Sequence, residues 1–172
     1  MEIREVLENK RTFLPLLLLA DEEERMIDRY LDRGTMYVLD EGGVKSECVV
    51  TDEGGGVLEI KNLATLPTEQ GKGYASALIE FVAQKYKDRF SVLRVGTGES
   101  PATLPFYEKL GFVRVGRIPR FFIENYEKPI VDGGVLLVDM IVLERRLGTA
   151  PSTVKRKTAR RPVGPRAVED GR

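Results

Sequence analysis

Residues 57–84 read VLEIKNLATLPTEQGKGYASALIEFVAQ, which combines the patterns of a strand, a turn and a helix in one continuous stretch. A strand-like apolar segment (residues 57–66) leads into a short turn with two glycines (residues 67–73), and an amphipathic helix follows at once. A helix N-terminus has backbone N–H groups without intrahelical acceptors and carries partial positive charge. Glycine lets a ligand approach such a backbone closely because it has no Cβ. The stretch therefore predicts an anion-binding turn between a strand and a helix.

The spacing of the glycines excludes the two best-known phosphate motifs. A dinucleotide-binding turn needs G-x-G-x-x-G and a P-loop needs G-x-x-x-x-G-K-[ST], whereas residues 70–75 read QGKGYA. This turn resembles the Q/R-x-x-G-x-G/A signature of the GNAT superfamily of acyl-CoA-dependent N-acyltransferases. Gln70, Gly73 and Ala75 stand at its three defining positions. An ordinary glycine-containing turn before a helix is the alternative.

A second stretch supports the same family. SPATLPFYEKLGF, residues 100–112, resembles the other GNAT signature, a short helix ending in F/Y-Y-E-K-x-G-F before a strand. One helix and one strand separate it from the glycine turn, as the family requires. Residues 14–34, 59–65, 96–100 and 120–143 further resemble a subgroup of small bacterial GNAT proteins. Glu99 departs from that subgroup, which usually has asparagine there, so no asparagine role is assigned to it.

Composition limits the available chemistry. The length of 172 residues suits one domain. The chain has one cysteine, Cys48, and no histidine, which excludes an intrachain disulfide, His-based or Cys-cluster metal sites and a Ser-His-Asp triad. We therefore expect no metal, and a general base that is a carboxylate, tyrosine, lysine or water. No apolar run could span a bilayer and no signal peptide is evident, so we expect no membrane association and a cytoplasmic location.

Charge is unevenly distributed although the formal net charge is zero. From Thr149 onward, seven basic residues stand against two acidic ones. We predict a GNAT domain over residues 1–148 and a basic, disordered tail over residues 149–172. The tail has no aromatic residue to stack on bases, so specific nucleic-acid binding is not expected. The remaining, acidic body favours cationic amines as partners.

The order of predicted elements is β-α-β-β-β-α-β-α-β-β, an α/β domain with a mixed central sheet flanked by helices. Asp21 is predicted to cap a helix that ends at Gly34. Residues 135–143 are predicted to form a closing strand. Between the last two strands, residues 119–134 form a long segment rich in aromatic residues.

The resemblance implies acetyl-CoA as the cofactor and assigns residues to it. Backbone N–H groups of the glycine turn would hold the diphosphate, and this set comprises Gln70, Gly71, Lys72, Gly73, Tyr74 and Ala75. The pantetheine arm would pair with the end of the central strand, at Leu63, Ala64, Thr65 and Leu66.

The implied reaction moves an acetyl group to an amine. Tyr107 matches the general-acid tyrosine of the family, and packing in the core is its alternative role. Without histidine, Glu59 is the candidate base, acting through water, whereas a structural salt bridge or a solvent-facing position is the alternative.

The aromatic segment is predicted to overhang the substrate site through Phe121, Phe122 and Tyr126. Asp139 is a weaker candidate, and a homodimer interface or an added strand is the alternative for the segment. A small-molecule amine is the favoured acceptor. Protein N-termini or lysines, and a non-catalytic CoA-binding module, are the alternatives.

Overall fold

The computed structural model describes residues 1–148, so the predicted basic tail lies outside the described residues. A mixed seven-stranded sheet has the order β1-β2-β3-β4-β5-β9-β6, and β7 and β8 form a separate pair. The strands are β1 Glu2–Val6, β2 Thr35–Asp40, β3 Val44–Gly54, β4 Val57–Thr65, β5 Val92–Gly98, β6 Val113–Ile118, β7 Val131–Asp132, β8 Val135–Leu136 and β9 Met140–Arg146. The α-helices are α1 Leu14–Ala20, α2 Glu24–Ile27, α3 Tyr74–Tyr86, α4 Leu104–Lys109 and α5 Phe121–Asn125. The predicted α/β fold is confirmed.

Helices cover both faces of the sheet because successive strand side chains point to opposite sides. Tyr37 and Leu39 of β2 pack in one core with α3 and α4. Met36 and Val38, which alternate with them, pack with α1 and Tyr30 on the other face. A third cluster on that second side joins α5 to the start of β9.

The centre of the sheet opens between β4 and β5. These two strands run parallel and pair only from Val57 opposite Val92 to Ile60 opposite Val95. Beyond that point β4 remains paired with β3 as far as Thr65, while β5 remains paired with β9. Because each strand keeps its outer neighbour and loses its inner one, the two diverge and leave a gap.

A β-bulge lies beside this gap. Val49 of β3 faces Asn62, but the next residue, Val50, faces Ile60, so Lys61 is the extra residue on β4. Bulges re-aim side chains locally, and they recur next to functional sites.

Two sequence predictions about the elements were wrong. The helix expected from Asp21 to Gly34 is reduced to α2, and Asp21 ends α1 instead, with its N–H bonded to the Leu17 carbonyl at 3.1 Å. Its carboxylate accepts hydrogen bonds from the Tyr30 and Tyr126 hydroxyls instead of capping a helix. The strand expected over residues 135–143 is broken between β8 and β9, because the Leu137 N–H bonds the Ile130 carbonyl at 2.8 Å.

Candidate active site

A cavity of about 210 Å³ occupies the gap between β4 and β5. Residues 60–63 of β4 and 95–98 of β5 form its strand walls, and residues 19–22 close it at the turn between α1 and α2. Thr103, directly before α4, and Tyr107 of α4 also line it. The aromatic segment covers it with Phe122, Tyr126, Ile130 and Asp132, and Leu137, which follows β8, also lines it. Parts of the chain that are distant in sequence thus meet at one site.

The glycine turn lies where β4 leads into α3. Gly71 and Gly73 have φ angles of +83° and +86°, which side-chain-bearing residues rarely adopt. A Cβ at either position would meet no atom within 4 Å, so the backbone there is openly accessible. No side chain caps α3 in the described chain. The turn therefore presents backbone N–H donors at a helix N-terminus, as an anion requires.

Side chains of the turn are engaged locally. Lys72 Nζ lies 2.8 Å from Glu69 Oε1, and this contact holds the pKa of the Glu69 carboxyl below its ordinary value. Gln70 Nε2 donates to the Thr65 carbonyl at 3.4 Å. The charge of Lys72 is thus partly offset by Glu69, and the backbone of the turn is the more direct source of donors.

The end of β4 presents one edge to the gap. Leu63 lines the cavity, while Ala64 and Thr65 pair with β3 on the opposite edge. The Leu66 N–H donates to the Lys45 carbonyl at 2.9 Å. The edge that faces β5 has lost its strand partner, so an extended peptide-like group could pair there.

Tyr107 is both a core residue and a cavity residue. Its side chain is 7 % exposed and lines the cavity from α4. The rings of Phe106 and Phe112 contact it edge-on, with centroids 5.0 and 5.5 Å away. These contacts fix the ring, so the two roles considered for Tyr107 are compatible with one another.

Glu59 lies in a buried group of charges. Its side chain is 0 % exposed, with Lys61 Nζ 3.1 Å away and Arg94, its cross-strand neighbour on β5, 3.9 Å away. Burial raises the pKa of Glu59 and lowers the pKa of Lys61, although their mutual attraction opposes both shifts. Lys61 lines the cavity, whereas Glu59 is not among its lining residues in the described chain. This placement favours the structural alternative.

The four candidate substrate residues separate into two pairs. Phe122 and Tyr126 line the cavity with their rings stacked 5.7 Å apart. Phe121 packs below them in the core and is 1 % exposed. Asp139 accepts hydrogen bonds from the Arg120 N–H at 2.8 Å and from the Arg117 guanidinium at 2.7 Å. Neither Phe121 nor Asp139 lines the cavity within residues 1–148.

Glu99, the departure from the subgroup pattern, belongs to an exposed ion pair. Its two carboxylate oxygens accept hydrogen bonds from Arg117 at 2.9 and 3.1 Å. These bonds hold the pKa of Glu99 below its ordinary value. Because Arg117 also pairs with Asp139, Glu99 helps to hold that arginine in place at the surface.

The sequence interpretation missed Asp21 as a site residue. Its carboxylate is 1 % exposed, lines the cavity, and accepts hydrogen bonds from the hydroxyls of Tyr30 and Tyr126 at 2.8 and 2.5 Å. The only sequence signal was its position directly after the apolar α1, and the acidic residues that follow made it resemble a helix cap.

Comparison with known proteins identifies the family. The model of the acetyltransferase (GNAT) domain matches residues 32–114. The uncharacterized N-acetyltransferase YvbK of Bacillus subtilis (strain 168) is 33 % identical over 132 residues, which cover 74 % of this chain and 84 % of that protein. The chain belongs to the GNAT family of acetyltransferases.

Two solved structures are similar over most of the chain. A GNAT family acetyltransferase from Elizabethkingia anophelis, with acetyl-CoA bound, is 32 % identical with a TM-score of 0.80, covering 85 % of this chain and 97 % of that one. The IAA acetyltransferase from Bacillus cereus ATCC 14579 is 34 % identical with a TM-score of 0.78, covering 85 % and 100 %. The predicted GNAT fold and enzyme class are thereby confirmed.

Two further findings concern the GNAT domain as described. None of the helices in residues 1–148 is long and apolar enough to cross a membrane. No group of three or more acidic or cysteine side chains in those residues could hold a metal ion. The homodimer and the cytoplasmic location stay predictions.

Proposed function

We propose that this GNAT enzyme transfers the acetyl group of acetyl-CoA to the amino group of a small molecule. The observation that carries the proposal is the gap between β4 and β5, which begins beyond Ile60 and Val95 and encloses the cavity. The Elizabethkingia relative, which carries acetyl-CoA, supports the choice of cofactor.

The residues at the end of β4 fit the cofactor. The backbone of the turn would hold the diphosphate, through Gln70, Gly71, Lys72, Gly73, Tyr74 and Ala75. The free edge of the strand would pair with the pantetheine arm through Leu63, Ala64 and Thr65. The backbone of Leu66 is already engaged, since its N–H donates to the Lys45 carbonyl and its carbonyl accepts from the Glu69 N–H. The left-handed glycines and the uncapped start of α3 support the first assignment. The loss of strand pairing beyond Ile60 supports the second.

The chemistry needs a free amine and a protonated leaving group. An alkylamine has a pKa of about 10.4, so it must first lose a proton, which passes to water. The amine nitrogen then forms a C–N bond to the thioester carbonyl carbon, and the C–S bond breaks. Tyr107 donates its hydroxyl proton to the departing thiolate and takes back the proton that the new amide nitrogen loses. The role of Glu59 is structural, since its buried carboxylate pairs with the buried ammonium of Lys61, which lines the cavity.

The size of the cavity, about 210 Å³, favours a small acceptor over a protein chain. Three carboxylate residues line it, and a cationic amine complements them: Asp21, Glu22 and Asp132. A peptide would need an open groove for the residues that flank its reacting amine.

A panel of acceptors tests the proposal through the release of the free CoA thiol. We expect release from acetyl-CoA with compact amines and little release with peptides. Acetylation of peptides alone would replace the proposal with a protein acetyltransferase. Binding of acetyl-CoA without turnover on any amine or peptide would indicate a non-catalytic module.

A further inference from the structure

One carboxylate is built into the wall of the cavity. Asp21, at the end of α1, is 1 % exposed and lines the gap between β4 and β5. Removing a carboxylate from water costs several kcal/mol unless hydrogen bonds compensate it. Its burial at this place therefore needs a structural framework that holds it there.

Three separate parts of the chain supply that framework. The Tyr30 hydroxyl donates to Oδ2 of Asp21 at 2.8 Å and the Tyr126 hydroxyl donates to Oδ1 at 2.5 Å. Asn62 of β4 donates to the Tyr30 oxygen and to the Leu17 carbonyl, both at 3.0 Å, and so orients the first hydroxyl. The hydroxyls are neutral donors, which fix the carboxylate without cancelling its charge. A carboxylate has about four acceptor positions, so it can accept from an ammonium group in addition to hydroxyl donors.

The residues around Asp21 indicate the chemistry and the size of the rest of the ligand. The stacked rings of Phe122 and Tyr126 line the same cavity, together with Ile130 and Leu137. Aromatic faces beside a carboxylate suit a cation that carries a flat or apolar body. The volume of about 210 Å³ lies below the range of about 300–1,000 Å³ that is typical of pockets for drug-sized ligands, which favours a compact molecule.

We propose that Asp21 binds the ammonium group of the acceptor, and that the acceptor class is compact monoamines with a flat or apolar body. This inference rests on the proposed N-acetyltransferase function. It makes Asp21 the residue that selects cationic acceptors, with Phe122 and Tyr126 selecting the shape of the attached group.

Phenethylamine is the probe, and phenethyl alcohol is its neutral counterpart. Calorimetry on the CoA-saturated enzyme measures the binding of both, and thiol release measures KM and kcat for the amine. In Asp21→Asn we expect amine binding to weaken and KM to rise by about tenfold or more. The affinity for acetyl-CoA and for phenethyl alcohol should change by less than about twofold, because neither uses the charge of Asp21.

Glu24→Gln is the matched control, since Glu24 is a nearby, exposed carboxylate that does not line the cavity in the described chain. It should leave amine binding nearly unchanged. Equal losses for the amine and the alcohol in Asp21→Asn would reduce Asp21 to a structural role and overturn the inference.

The wild-type enzyme supplies a test that does not depend on folding of the variant. Failure of phenethylamine to bind, or binding no tighter than that of phenethyl alcohol, overturns the inference. Titration of acetyl-CoA into the enzyme without CoA tests the proposed function separately.

Discussion

The Tyr126 hydroxyl donates a hydrogen bond of 2.5 Å to the Asp21 carboxylate, joining parts of the chain that are 105 residues apart. Both side chains line the cavity, so this contact fastens the aromatic segment to the turn after α1. The same bond therefore closes one wall of the cavity and orients the carboxylate inside it.

Tyr126→Phe removes that hydrogen bond and keeps the ring. Because a hydrogen bond to a charged group contributes about 1.5–3 kcal/mol, we expect the free energy of unfolding to fall by about 2 kcal/mol. Urea denaturation measures it. Tyr74→Phe, whose hydroxyl makes no hydrogen bond in the described structure, is the control and should change stability by less than about 0.5 kcal/mol. Equal stability of the two variants would show that the contact contributes little.

Tyr107→Phe removes the proposed proton donor while the ring contacts with Phe106 and Phe112 remain. General acid catalysis contributes about 10²–10⁴-fold, so we expect kcat to fall by about 100-fold or more. The affinity for acetyl-CoA should stay within about twofold of wild type. Phe106→Leu, on the same helix, controls for disturbance of α4. Unchanged turnover in Tyr107→Phe would remove the hydroxyl from the mechanism.

Gly73→Ala places a Cβ on the proposed diphosphate turn at a φ of +86°. We expect stability to fall by about 1 kcal/mol, and acetyl-CoA affinity to fall by about tenfold because the Cβ blocks close approach to the backbone. Gly42→Ala is the matched control. Gly42 also has positive φ (+70°) and open space around it, but it lies in the β2–β3 hairpin. Similar acetyl-CoA affinity in the two variants would argue against binding at the turn.

Glu59→Gln tests the two roles considered for this carboxylate. It leaves the Lys61 ammonium buried without its nearest carboxylate, so we expect the free energy of unfolding to fall by about 3 kcal/mol. The shape of the pH profile of kcat/KM should not change. Glu80→Gln breaks an exposed pair with Arg145 and should cost less than about 1 kcal/mol. Loss of the acidic limb of the profile in Glu59→Gln, with stability intact, would instead identify a base.

Glu47 gives stability a predicted dependence on pH. Burial raises the pKa of its carboxyl well above the ordinary value, more than a contact with the Ala64 backbone lowers it. The folded state therefore holds this proton more tightly than the unfolded chain, so the stabilisation is complete at low pH and is lost as pH rises through the folded-state pKa. In Glu47→Gln that loss should vanish. Urea denaturation at about pH 5 and about pH 8 measures the free energy of unfolding of both proteins. The value for Glu47→Gln should rise relative to that of wild type between the two pH values, and an unchanged difference would contradict this prediction.

The features that the sequence predicts correctly are local ones. The strand, glycine turn and helix of residues 57–84 follow from composition and periodicity within one stretch. Their positions in the structure agree, with β4 ending at Thr65 and α3 beginning at Tyr74. Tyr107, which the sequence indicates through a short motif on α4, lines the cavity, and its catalytic role stays a prediction.

The features that the sequence does not predict depend on contacts between distant segments. Asp21 acquires its place from Tyr126, and no local pattern records that partner. The surroundings of Glu59 depend on the bulge at Lys61 and on Arg94 of the next strand. Asp139 was expected within a strand, but pairing of Leu137 with Ile130 breaks the strand just before it.

Calorimetric titration of the chain with acetyl-CoA is the decisive experiment, because catalysis requires the cofactor to bind at the turn of residues 70–75 and in the gap beside β4. We predict saturable binding at one site per chain and a matching rise in the melting temperature, since a ligand at about 100 times its Kd stabilises the folded state by about 2.7 kcal/mol. Absence of both heat and a melting shift at millimolar acetyl-CoA would contradict the account.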